Sequence, residues 1–452
     1  MTSLRADLRL AWDLTRGSDR GEWWRVTLTA VGAALATGFA LAAVALASLR
    51  GRHHVPVASG LLDEPGTRSG VIAGLLLLLV PVLGFLGQCA RIGAVHRDRR
   101  LAGLRLAGAT PWQVRRIAAL ETGLACLLGS AVATVFCVLL LLRQWDRPTP
   151  LTWAGIALVA VAVPLLGAAA GALALRRVVA SPLGRVRRIG PPRTGRGPGL
   201  LFLAGVVLVG VVALLAVLGT FPAGVNRPHA GPPLTMVGVV LAVGAGAVWL
   251  SGAVARTTGR ILAVRARSAA VLIAAERLRD DPWAAARTHA AVLLVTIAGG
   301  GFMGVRAMIL HEVRSGKPLS AGPDYYITGL DLTAAALAVA FAITVSGLAV
   351  GTAESLVTRR RGLAAQVAAG VPRAVLGRAL LLETALPLAP AVLLAGLGGT
   401  AVAASYALLD HGPFPWAAAL IPLAIYAACL LAVATSLPLL GRTVRPGELR
   451  YV

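Results

Sequence analysis

The stretch HRDRRLAGLRLAGATPWQVRRIAALET, His96 to Thr122, is a basic, glycine-broken segment between two strongly apolar runs. The chain says nearly the same thing again at RRRGLAAQVAAGVPRAVLGRALLLET, Arg359 to Thr384. Under a constant shift of 262 residues and no gap, Arg97–Thr122 and Arg359–Thr384 agree at 10 of 26 positions. The shared positions are Arg97/Arg359, Arg99/Arg361, Leu101/Leu363, Ala102/Ala364, Ala107/Ala369, Gly108/Gly370, Arg116/Arg378, Leu120/Leu382, Glu121/Glu383 and Thr122/Thr384. Seen once, such a segment is a positive loop with a snorkelling carboxylate. Seen twice at matching spacing, it reads as a duplicated joint.

Composition sets the surroundings of that joint. Of 452 residues, 57% are hydrophobic and only 14% charged, and the mean hydropathy is +0.78. These values exclude an ordinary soluble domain and fit an all-α integral membrane protein of many helices. The net charge of +24 does not point to nucleic acid, because the basic residues punctuate apolar runs as membrane-flanking loops do. Lys317 is the single Lys among the 43 basic residues. The four cysteines, Cys89, Cys126, Cys137 and Cys429, all fall inside apolar runs without CxxC spacing, so neither a disulfide frame nor a metal site is indicated. No cleavable signal peptide is evident; the first apolar run begins near Trp24 and is long enough to span.

A span needs roughly 20 apolar residues. Runs of that kind lie at about 24–49, 70–92, 117–142, 151–175, 199–220, 234–255, 288–310, 329–352, 379–406 and 416–440. With the N-terminus inside, the inner segments hold most of the Lys and Arg, which places both termini in the cytoplasm of a cell-membrane protein. Trp23, Trp24, Trp145, Trp153, Trp249 and Trp416 fall near run ends, as an aromatic belt requires. Residues 1–22 suit a helix lying along the cytoplasmic surface, and a second such helix is expected around 266–282. The expected architecture is therefore ten spans as 4+2+4: two parallel four-helix repeats, each preceded by a surface helix, joined by two linking helices. The segments are 1–180, 181–265 and 266–452. The linker Val178–Pro198 is Pro/Gly/Arg-rich and reads as an irregular inner loop.

Within the joint, LAGLRLAGATPWQ predicts a short helix, a break at Gly108, and a new helix with Thr110 as N-cap and Pro111 at its first position. Pro372 marks the same corner in the second copy. About one turn inside the following helix stand Glu121 and Glu383, and a carboxylate there is costly unless paired. Arg116 and Arg378 lie five residues before them, off the favoured three-or-four spacing. A lock at the helix base, within one helix or between two, is the expectation.

The pattern RxRxLAxxxxAG…R…LET, placed between the second and third of four spans and duplicated, resembles the FtsX-like permease family. These are membrane subunits of ABC transporters of the MacB, LolC/LolE and BceB kind. The resemblance implies a permease that works with a separate ABC ATPase, itself a dimer holding ATP and Mg, while this chain binds no cofactor of its own. It implies that the inner loops, here 93–116 and 353–378, contact that ATPase. The coupling residues would be Arg97, Arg99, Leu101, Gly108, Thr110 and Arg116 in the first copy. In the second they would be Arg361, Leu363, Gly370, Pro372 and Arg378, with Glu121 and Glu383 as the lock. Extrusion of a hydrophobic or amphipathic small molecule, lipid or peptide would follow, antimicrobial export or resistance among the possibilities. The large extracytoplasmic domains of such relatives have no counterpart, since residues 50–69 and 311–328 hold only short loops.

Hydrolysis of ATP by the chain itself is excluded by its one Lys. A Walker A loop needs that residue to reach the phosphates and a Ser/Thr after it, whereas Lys317 is followed by Pro318. Two other readings remain: an ion-driven secondary transporter, which should show paired charges at mid-membrane, and an FtsX-like scaffold relaying ATPase motion to an extracytoplasmic partner. His289, Asp331, Arg306 and Glu354 lie near span ends and Gln88 inside span two; interface anchoring is the plain reading for them. His53 and His54, with Asp63 and Glu64 nearby, read as solvated loop residues rather than a metal site.

Overall fold

The computed structural model describes residues 20–49, 51–52, 58–144, 148–174, 231–316, 321–409 and 416–443. Every regular element among them is a helix, as the bilayer demands: with no water to satisfy backbone groups, each span must close its own hydrogen bonds. In chain order they are α1 (Arg20–Ala47), α2 (Pro65–Leu106), α3 (Pro111–Gln144), α4 (Pro150–Ala174), α5 (Gly231–Arg265) and α6 (Ala269–Asp280). There follow α7 (Pro282–Arg314), α8 (Pro323–Thr358), α9 (Arg360–Ala368), α10 (Arg373–Leu409), α11 (Trp416–Ala434) and α12 (Leu437–Thr443).

Among the described residues, eight helices are long and apolar enough to cross a membrane: α1 to α4, α7, α8, α10 and α11. The chain is a multi-pass membrane protein. Of the ten expected spans, 199–220 lies outside the described residues, and 234–255 falls within the helix α5, which is not one of the eight. The expected surface helix at 1–22 also lies almost wholly outside the described residues; its counterpart at 266–282 is α6.

The chain divides into two compact units, Met1–Arg50 with Gly74–Pro191, and Gly51–Ala73 with Pro192–Val452. In the first, α1, α3 and α4 pack against one another. The fit is close: a β-carbon at Gly129 on α3 would collide with the carbonyl of Ala30 on α1. At the far end Thr152 Oγ1 donates to Ser48 Oγ at 2.7 Å, and Ser48 Oγ to the Ala45 carbonyl at 2.7 Å. These bonds tie α4 to α1 by hydroxyls where hydrophobic attraction between helices is weak. Leu128, Val132, Val135, Phe136 and Leu139 are exposed along one side of α3, at helical spacing. An apolar stripe facing outward is a lipid-facing surface.

In the second unit the counterparts of those helices, α7, α10 and α11, also pack together. Leu293 and Ile297 of α7 and Leu388 and Val392 of α10 are buried. Gly304 of α7 lies so close to Ala403 of α10 that a β-carbon there would overlap it. Residues 51–73 group with this unit because the loop before α2 docks on α8: Ser59 Oγ and Thr328 Oγ1 are 3.2 Å apart. His289, expected as an interface anchor, is instead buried on α7.

Candidate coupling joints

The first joint is the corner between α2 and α3. The short helix expected before Gly108 is not separate. It is the last part of α2, a single helix of 42 residues, because no proline or paired glycines interrupt Leu86–Leu106. The break comes where expected, at Gly108 with φ +96°, a left-handed conformation that costs least at glycine. Thr110 is the N-cap of α3. Its Oγ1 accepts from the Gln113 backbone N–H at 3.2 Å, and its own N–H donates to Gln113 Oε1 at 2.8 Å. This reciprocal capping box satisfies two of the helix's orphan donors.

Beyond the cap, Val114, Ile117 and Ala118 turn inward and are buried. Glu121 follows, only 5% exposed, and then Thr122, whose Oγ1 donates to the Ala118 carbonyl at 3.1 Å. Arg116 is half-buried. The side chains of Arg97, Arg99 and Leu101 lie outside the described residues, although their backbone belongs to α2.

The second joint is built differently before its glycine and alike after it. Here α8 stops at Arg359 (φ −94°, ψ 7°) and the short helix α9 is distinct. It ends on Gly370 at φ +90°, where Gly370 N–H donates to Val367 O at 2.9 Å and Val371 N–H to Gln366 O at 3.0 Å. That bond pair is a Schellman cap. Pro372 then closes the corner as α10 begins, its carbonyl accepting from Val375 N–H at 3.0 Å. Leu363 is buried, as is Ala364; these side chains seat α9 on the protein. The side chain of Arg361 lies outside the described residues.

Glu383 is the centre of this joint. Its Oε1 accepts from Arg359 Nη1 at 2.8 Å, and its Oε2 from Arg277 Nη1 at 3.1 Å. Arg378, the partner favoured by proximity in the chain, is exposed and takes no part. A five-residue offset turns its side chain away from Glu383, whereas two arginines from other elements reach the carboxylate directly.

Helix periodicity brings Arg277 there. Ser268 caps α6 by accepting from Val271 N–H at 3.4 Å. Ala270 and Ala274, four apart, then pack against Ala379 of α10, with Ile273, Val375 and Leu382 around them. Arg277 continues the stripe of Ala270 and Ala274, and Glu383 follows Leu382 on α10. Packing small residues together therefore delivers the two charges to each other. On its other side α6 meets α5, where Gly259 approaches the Ala275 carbonyl, and Leu278 is fully buried. Glu383 is 18% exposed and Arg277 17%, so both carry part of the cost of leaving water, which their mutual hydrogen bonds offset.

Residues 70–183, which hold the first joint and the spans around it, match the model of the FtsX-like permease C-terminal domain. Over those residues the chain is similar to the FtsX-like permease family. The match ends well before the second joint, which is tied to the first by the internal repeat. No curated protein and no solved structure matches the chain. The likeness is to a family of membrane permeases, and it falls on a chain with eight helices long and apolar enough to cross a membrane among its described residues. Among the described residues no cluster of His, Cys, Asp and Glu could hold a metal ion; His53 and His54 lie outside them.

Proposed function

We propose that this chain is the permease subunit of an ABC complex, in which a separate ATPase dimer, loaded with ATP and Mg, drives export of a hydrophobic or amphipathic substrate. The observation that carries the reading is the duplicated joint. Each copy places a left-handed glycine at an exposed corner, with a capped helix leading from the corner into the apolar segment. A force applied at the corner therefore passes into that helix, which runs without an internal proline in α3 and as far as Pro387 in α10. In the second copy the Glu383 cluster adds the surface helix α6, so α6, the joint and the first turns of α10 move as one piece. Both joints face the cytoplasm in this reading, with ten spans and both termini inside. Glu121 and Glu383 act as locks at the helix base.

Co-purification with ABC ATPase subunits co-expressed from the same genome tests it. The expected result is a stable complex whose ATPase activity rises on reconstitution with the permease. Gly108→Pro together with Gly370→Pro should abolish that stimulation. Transport that persists without any ATPase would replace this reading with an ion-driven one.

A further inference from the structure

The two joints have the same backbone corner and different surfaces. In the first, Leu106 is 75% exposed and Trp112 68% exposed, one on each side of Gly108. At the matching positions of the second, the shift of 262 residues places Ala368 and Ala374, both exposed and both small. Among the described residues, a β-carbon at Gly108 or Gly370 would meet no atom within 4 Å, and both glycines are exposed.

Lipid does not account for the exposed pair. The apolar run of α2 ends at about residue 92 and the helix runs on to Leu106. At 1.5 Å per residue that carries Leu106 roughly 20 Å beyond the apolar segment. The intervening helix bears His96, Arg97, Asp98, Arg99, Arg100 and Arg105, which forbids placing it in hydrocarbon. Counting back from the other end of α3 gives the same answer for Trp112. Twenty residues of bilayer core measured from Arg143 reach only to about residue 123, leaving Trp112 roughly 16 Å outside. The capping box fixes the first turn of α3 and holds Trp112 out from the corner. An indole and an isobutyl group held in water on a rigid turn, with Arg105, Arg115 and Arg116 close by in the sequence, have the composition of a binding hot spot.

We infer that the joints are unequal docking elements: Leu106 and Trp112 make the first one the affinity anchor for the ATPase subunit, while the second engages it without an apolar plug. This rests on the ABC-permease reading above. The chemistry specifies the receiving surface, an apolar pocket deep enough for an indole with acidic residues on its rim, matched to the arginines that flank the corner in the sequence. It also divides the work. The first joint keeps the ATPase attached, and the second, clasped by Glu383, is free to make and break contact through the cycle.

The test measures binding of the ABC ATPase subunit that co-purifies with the chain to the full-length chain in nanodiscs. Leu106→Ala with Trp112→Ala should weaken binding at least tenfold. The matching changes in the second joint, Ala368→Ser with Ala374→Ser, should alter it less than about threefold. Ala368→Leu with Ala374→Trp should strengthen binding or rescue the first double variant. Because all four residues are exposed, the variants should elute and melt as the parent does. If the first double variant binds as well as the parent, or if both joints contribute equally, the inference is overturned while the ABC reading stands. Unchanged affinity with poor membrane recovery would assign Trp112 to lipid and equally overturn it. A parent chain that binds no ATPase overturns the reading itself, and the inference with it.

Discussion

Glu383 and Arg359 stand 24 residues apart in the chain and 2.8 Å apart in space, bridging the corner that separates α9 from α10. The pair closes the second joint like a brace across an angle, and Arg277 fastens α6 to the same point. Glu383→Gln keeps the volume and removes the charge, leaving two guanidinium groups facing a neutral amide. The cost should be about 1–3 kcal/mol, below the 3–5 kcal/mol of a fully buried pair, because Arg359 is partly solvated. Thermal unfolding in nanodiscs reads this directly. Arg378→Ala, at an exposed site, should fall within about 0.5 kcal/mol of the parent. Arg359→Glu with Glu383→Arg should rescue only in part, since Arg277 then meets a like charge.

The repeat extends the brace to the first joint. Arg97 and Glu121 occupy the positions of Arg359 and Glu383, with the same separation and the same left-handed glycine between them. We expect Arg97 and Glu121 to be energetically coupled. A double-mutant cycle with Arg97→Gln and Glu121→Gln should return an interaction of about 0.5–3 kcal/mol. Additive effects would confine the brace to the second joint.

Sequence went furthest where chemistry is local. Gly108, Thr110 and Pro111 announced a left-handed stop and a capped start, and the helix corner is built from those three signals. The apolar runs gave the spans for the same reason: twenty residues without charge leave no other economical structure in lipid. The partner of Glu383 was harder to read, because it depends on how α6 lies on α10. Arg277 reaches Glu383 only through the packing of Ala270 and Ala274 on Ala379, and alanines carry no distinctive signal. One clue was present and pointed the right way: Arg97/Arg359 and Glu121/Glu383 are shared between the copies, whereas Arg277 has no equally clear counterpart. The unbroken course of α2 was hidden as well. Gly93 and Gly103 look like breakers in the sequence, yet isolated glycines cost only about 1 kcal/mol each within a helix.

Holding α6 in place should depend on Leu278 more than on the charges. That side chain is 2% exposed, and Leu278→Ala removes its packing and leaves a cavity, at a cost of about 2–5 kcal/mol. The loss should appear locally before it appears globally, since α6 has only 12 residues and cannot persist as an isolated helix. Limited trypsin digestion should cut at Arg277 and Arg279 much faster in this variant. A matching Glu383→Gln digest should accelerate less, because the apolar seat remains.

The contact between α7 and α10 is a close backbone approach in the second bundle. Gly304 allows the two backbones to approach until only hydrogen separates it from Ala403, the small-residue packing that membrane helices use in place of hydrophobic attraction. Gly304→Val forces the helices apart at that level and should lower thermal stability by several degrees in nanodiscs, the expected scale for overpacking of about 1–3 kcal/mol. Gly38 on α1 is the control, because a β-carbon there meets nothing within 4 Å. Gly38→Ala should be neutral or stabilise by about 0.4–1 kcal/mol through the entropy of the unfolded chain. Equal melting shifts for the two variants would mean that glycine content alone matters. A loss confined to Gly304→Val would locate the constraint at the Ala403 contact.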